Sequence, residues 1–196
     1  MPKTHRLDRA QVIAAAAEIA DARGLEALTL AALAQRLEIR IPSLYNHIDG
    51  LDALRREIGL LGLRDLDVQL TRAAAGRQGT DALRAVARTY FLYARAHPGC
   101  YLAAQRPARE PDPELETAGA IIIDLLRAIL KPFALSARDQ IHAVRGFRAL
   151  IHGFVSLETV GGFDLPVDVD HSLERALGWF FEGLDHPRRT RRSRTK

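Results

Sequence analysis

Thr29-Leu30-Ala31-Ala32-Leu33-Ala34, then Glu38-Ile39-Arg40-Ile41, then Pro42-Ser43-Leu44-Tyr45-Asn46-His47 is the run from which the architecture can be built. Thr29 is an N-cap residue type, and Leu30, Leu33, Ala34 and Leu37 repeat behind it at helical spacing. Glu38 to Ile41 form a short connection, after which Pro42 sits where the first turn of a third helix tolerates a missing N–H. Leu44 and Ile48, four apart, face inward from that helix, which leaves Arg40, Ile41, Ser43, Tyr45, Asn46 and His47 outside. An ordinary solvated face is rich in Glu and Lys. This one carries a phenol, an imidazole, a hydroxyl and an amide, short or rigid donors suited to phosphates and base edges. The helix N-terminal amides near Pro42 and Ser43 add partial positive charge where a phosphate could dock. Two helices joined by a tight turn are the layout of a helix-turn-helix, but such layouts also occur as plain packing units, so the layout alone leaves both readings open.

On the N-terminal side, Val12, Ala16, Ile19 and Ala20 line one face of a first helix, opened by an Asp8/Gln11 capping box and stopped by Gly24. After Gly50, Leu51, Leu54, Ile58 and Leu61 begin a long fourth helix that fades near Gly76 and Gly79. A fifth runs from Thr80 to about Ala96, where His97-Pro98-Gly99 ends it, and three prolines mark Arg106 to Pro113 as an irregular loop. Asp112-Pro113-Glu114 restarts helix to about Leu130. Ser136 with Asp139 opens another, carrying Val144, Phe147, Ile151, Phe154 and Val155 and ended by Gly161-Gly162; a last one carries Leu173, Ala176, Leu177, Phe180 and Leu184. The expected fold is all-α, of about nine helices: a three-helix module over 1–56, a helical domain over 57–186, and a basic disordered tail over 187–196.

The formal charge of +4 misleads. Arg188, Arg189, Arg191, Arg192, Arg194 and Lys196 supply six positive charges, which leaves the rest of the chain at about −2. Any DNA binding therefore rests on a few placed donors and the tail, not on a broad positive field. An apolar fraction of 47% with 27% charged residues of both signs predicts a packed core. Cys100 is the only cysteine, and no signal peptide or apolar run of spanning length is present; a cytoplasmic chain without intrachain disulfides is expected.

The run from Thr29 to His47 resembles the signature of the TetR family of transcriptional regulators, with a match reaching back to Gly24 and Leu28 and forward to Leu54. The resemblance implies that Thr29, Tyr45 and His47 contact phosphates and that Arg40, Ile41, Ser43 and Asn46 stand where base contacts are made. It implies a homodimer, paired through the last two long helices, that binds palindromic operator DNA as a repressor and is released by a small-molecule effector. No cofactor or metal is implied. Ile151-His152-Gly153-Phe154-Val155-Ser156-Leu157-Glu158 is similar to the WHG type of TetR C-terminal domain, with Ile151 in place of the tryptophan. Glu38 replaces the glycine usual in the turn, and Leu51 the lysine usual at the start of the fourth helix, leaving Lys3, Arg6, Arg9 or the tail to supply that anchor.

Each sharper reading has a plainer counterpart. Tyr45 can cover the edge of the core, and Asn46 can bond water or backbone. Tyr90, Phe91, Tyr101, Phe147, Phe154, His152 and Trp179 are candidates to line an apolar ligand pocket, although aromatics at helical spacing are most often core. His142, His152 and Glu158 lack metal-site spacing. Two other functions remain: a helical enzyme on a small apolar substrate with His152 and Glu158 as acid and base, and a ligand-independent dimeric DNA-binding protein.

Overall fold

The computed structural model describes residues 7–106 and 111–193, with side chains described through residue 184. Among the described residues it contains nine α-helices and no strand: α1 (Arg9–Arg23), α2 (Leu30–Arg36), α3 (Ile41–Leu44), α4 (Leu51–Ala74), α5 (Gly79–Ala96), α6 (Pro98–Gln105), α7 (Pro113–Leu130), α8 (Ala137–Thr159) and α9 (Val169–Ser193). The predicted caps form. Asp8 and Gln11 bond each other's backbone N–H at 2.8 and 2.9 Å, Asp112 accepts from Leu115 N–H at 3.2 Å, and Ser136 accepts from Asp139 N–H at 3.1 Å. Each satisfies an N–H that the first helical turn leaves without a partner.

The helices fall into two compact units. One holds the described residues through Leu66 together with Tyr93–Gly119; the other holds Asp67–Leu92 and the described residues from Ala120 onward. α4, α5 and α7 each contribute to both units. The expected division after residue 56 falls inside α4. In the first unit, Val12, Ala16 and Ile19 of α1, Leu33 of α2, Leu44 and Ile48 around α3, and Leu54 and Ile58 of α4 form one core with Cys100 and Ala103 of α6. In the second, Phe147, Ile151 and Val155 of α8 and Leu173, Leu177 and Phe181 of α9 are buried, and these two helices pack together.

The structure departs from the sequence reading in three places. α6 fills a stretch that carried no predicted helix: Pro98 is its first residue, so the proline that ends α5 also starts α6. α3 closes after Leu44, and bonds from His47 N–H to Leu44 O (2.9 Å) and from Asn46 N–H to Ser43 O (3.4 Å) carry the chain on as turns. Lastly, α9 runs from Val169 to Ser193, past residue 186 where the sequence reading ended the helical domain, and the side chains of the basic stretch expected as a tail lie outside the described residues. Arginine is a good helix former, and extending an existing helix requires no new nucleus. Arg194 and Lys196 lie outside the described residues, as do Lys3 and Arg6.

Candidate nucleic-acid interface

The first unit presents the α2–turn–α3 segment on a closed base. Leu44 is fully buried and Ile48 is 4% exposed, and both point into the core shared with α1 and α4. The opposite face carries the predicted set: Arg40, Ile41, Tyr45 and Asn46 are exposed and Ser43 and His47 half-buried, with Tyr45 58% exposed. Among the described residues none of the polar side chains of Arg40, Ser43, Tyr45, Asn46 or His47 is engaged in a hydrogen bond or ion pair within the protein. Thr29 differs: its Oγ1 accepts from Ala32 N–H at 3.0 Å, which fixes the start of α2 and leaves its O–H to donate.

The turn between α2 and α3 has a definite hydrogen-bond pattern. Glu38 N–H donates to Gln35 O at 3.2 Å and Ile39 N–H to Ala34 O at 3.0 Å, the paired bonds of a Schellman C-cap. That motif needs its residue after the cap in the left-handed region. Glu38 occupies it, at φ +55°. The departure from glycine thus changes the energy of the turn and not its form. Arg9, one of the donors left to replace a basic residue at Leu51, is paired with Glu57 at 3.1 Å.

Behind this surface α6 is wedged between α1 and α4, and glycines line both seams. A Cβ on Gly99 would lie 2.2 Å from the Ala20 carbonyl carbon, and Cβ atoms on Gly59 and Gly62 would lie 3.0 Å from the Ala103 and Cys100 carbonyl oxygens. Asp21 of α1 caps α6 across 79 residues of sequence, accepting from Cys100 N–H at 2.9 Å, and its other oxygen lies 3.0 Å from His97 Nδ1. Burial and the neighbouring Asp21 carboxylate push the Cys100 thiol up to about 12. Burial likewise raises Tyr93, whose O–H donates to Gly62 O at 3.1 Å.

The residues expected to line a ligand pocket are divided between the two units. Tyr101 is buried in the first unit and the others belong to the second. Trp179 is 63% exposed, because the buried stripe of α9 runs through Leu173, Leu177, Phe181 and Leu184, and a residue two positions from Leu177 points away from it. Tyr90 and Phe147 are core, Phe154 stacks on Phe163, and His152 stands 3.4 Å from Ser156 Oγ on the same helix. Phe91 alone among them borders a cleft of about 300 Å³, beside Arg88 and Leu92 of α5 and Asp168, Asp170, His171, Leu173 and Glu174 at the start of α9. Asp168 there caps α9 by accepting from His171 N–H at 2.9 Å, and Glu174 pairs with Arg84. Periodicity could not find this cleft, since its acidic residues surround a loop–helix junction and look like ordinary capping residues.

Known proteins resemble this chain along most of its length. The family profile described as "Tetracyclin repressor-like, C-terminal domain" matches residues 83–180. An uncharacterized HTH-type transcriptional regulator, YobS of Bacillus subtilis (strain 168), is 35% identical over 178 residues, covering 91% of this chain and 93% of the relative. A second such regulator, Rv0681 of Mycobacterium tuberculosis (strain ATCC 25618 / H37Rv), is 36% identical over 166 residues, 84% and 76% of the two chains. Among solved structures, a single-residue variant of TetR from Acinetobacter baumannii AYE, in complex with minocycline, shares the fold with a TM-score of 0.70 at 21% identity, over 93% of this chain and 99% of that one. Among the described residues no helix is long and apolar enough to cross a membrane. With the helix-turn-helix geometry above, these likenesses place the chain in the TetR family of DNA-binding transcriptional regulators, and not among enzymes.

Proposed function

We propose that this protein is a ligand-responsive repressor that binds palindromic operator DNA as a homodimer through α2 and α3 and is released by a small molecule. One observation carries the reading: the outward donors Arg40, Ser43, Tyr45, Asn46 and His47 stand over a closed core with no bonding role inside the described chain. Thr29, Tyr45 and His47 are assigned to phosphates, and Arg40, Ile41, Ser43 and Asn46 to base edges. A dimer pairing α8 and α9 with their copies would cover apolar surface that the single chain leaves open, with Leu157 48%, Val160 77% and Trp179 63% exposed. In the binding state the two α3 segments stand about 34–36 Å apart, one helical turn of DNA, and the effector favours another spacing. The minocycline complex of the Acinetobacter protein supports a small-molecule effector by analogy. The cleft beside Phe91, with Leu173 buried beneath and charged residues around it, is the concave surface we assign to it.

The test is selection of randomised DNA duplexes by the full-length protein, followed by titration of the selected duplex. Arg40→Ala is expected to cost about 1–3 kcal/mol and to relax preference at one base position, whereas Tyr45→Phe weakens binding to all sequences alike. Variants that bind like the unaltered protein would remove the assignment of this face.

A further inference from the structure

A second polar cluster lies in the first unit, built on residues other than the outward donors of α2 and α3. The guanidinium of Arg56, on α4, donates to both oxygens of Asp112 at 2.6 and 2.8 Å, to Glu114 at 2.7 Å and to Glu57 at 2.6 Å. Glu57 also pairs with Arg9, the first residue of α1, at 3.1 Å, and Glu114 with Arg64 at 2.7 Å. Three arginines, from α1 and α4, thus balance three carboxylates, from α4 and the start of α7. Isolated exposed pairs are worth little, but a two-pronged arginine–carboxylate contact inside a network fixes orientation as well. The surrounding carboxylates push the Arg56 pKa further up, and Arg56 holds the Asp112 carboxyl down at about 2. On another side of the same stretch of α4, Leu54 and Ile58 are fully buried in the core beneath α2 and α3. One segment of α4 therefore grips the reading module with one face and the start of α7 with another, and α7 continues from this unit into the second.

We infer that Arg56 is a positioning residue for DNA reading: by clamping the start of α7 to α4 and, through Glu57, to α1, it sets the orientation of the α2–α3 module without touching DNA. The inference rests on the operator-binding reading above. It makes Arg56 a point at which displacement of α7 is felt by the reading helices.

The experiment titrates the duplex selected by the full-length protein with Arg56→Gln, Arg56→Lys, Asp112→Asn and the Arg56→Gln/Asp112→Asn double variant, at several salt concentrations. Circular dichroism first establishes a temperature at which each variant is folded. Arg56→Gln is expected to weaken binding about tenfold. Arg56→Lys, which keeps the charge but loses the fork, falls between Arg56→Gln and the unaltered protein. The double variant binds no worse than Arg56→Gln alone, because the two residues act as one contact. The salt slope stays that of the unaltered protein, whereas loss of a phosphate contact lowers it by about 0.9 and would overturn the inference. Additive effects, or variants that bind like the unaltered protein, would overturn it too. Should Arg56→Gln not fold, Arg56→Lys and Asp112→Asn decide on the same criteria. A protein that selects no duplex at all sinks the operator reading and this inference together, and one that selects a duplex its clamp variants bind equally well sinks this inference alone.

Discussion

Replacing Glu38 with glycine should make the protein more stable although it removes a side chain and adds no contact. Glu38 sits at φ +55° in the Schellman turn that ends α2, and it is exposed, so its side chain contributes no buried surface. An L-residue held in the left-handed region costs about 1–2 kcal/mol, and the glycine that relieves this loses about 0.5–1 kcal/mol in backbone freedom. The expected net gain for Glu38→Gly is about 0.5–1 kcal/mol, or a rise in melting temperature of about 1–4 °C for a chain of this size. Glu38→Ala keeps the Cβ and with it the strain, so it should lie within about 0.5 kcal/mol of the unaltered protein. Glu38→Gln separates the charge: both it and Glu38→Gly remove one negative charge beside the DNA face, and they should bind the selected duplex equally if the turn keeps its form. Urea unfolding followed by circular dichroism reads the stabilities. A glycine variant no more stable than the alanine variant would show that the left-handed turn is not a cost here.

Gly99→Ala should do the reverse: its Cβ would fall 2.2 Å from backbone of Ala20, which cannot give way, and the expected loss of about 3 kcal/mol is read by the same unfolding assay; a loss under about 0.5 kcal/mol would contradict the seam between α1 and α6. Asp112 is held at about 2 against an ordinary 3.8, so its contribution to stability is complete above about pH 4 and is lost as pH falls toward 2. Asp112→Asn should therefore flatten the stability curve over that interval, and a curve as steep as before would reassign the effect. Cys100, buried and raised to about 12, should react with a thiol reagent at pH 7.5 only as fast as the protein opens, so labelling of the folded protein at the rate of a free cysteine would refute its burial.

Features that depend on neighbours a few positions apart were legible in the chain alone. The caps at Asp8, Asp112 and Ser136, the stop at Gly24 and the inward pair Leu44 and Ile48 are all written in spacings of three or four residues, because helical hydrogen bonds and faces repeat at that distance. The exposure of Arg40, Tyr45 and Asn46 follows from the same geometry once Leu44 and Ile48 are inside. The wedge of α6 between α1 and α4 emerges only in the folded molecule, because its first turn is held by Asp21 from 79 residues away and its close approach requires Gly59, Gly62 and Gly99 to meet backbone that no local pattern names. Folding likewise turned Trp179 outward and gathered Arg9, Arg56, Glu57, Asp112 and Glu114 into one cluster. Charged residues of these types read in sequence as ordinary solvated positions; their roles come from which helices meet, and that is fixed by the packing of whole faces, not by the order of residues along any one of them.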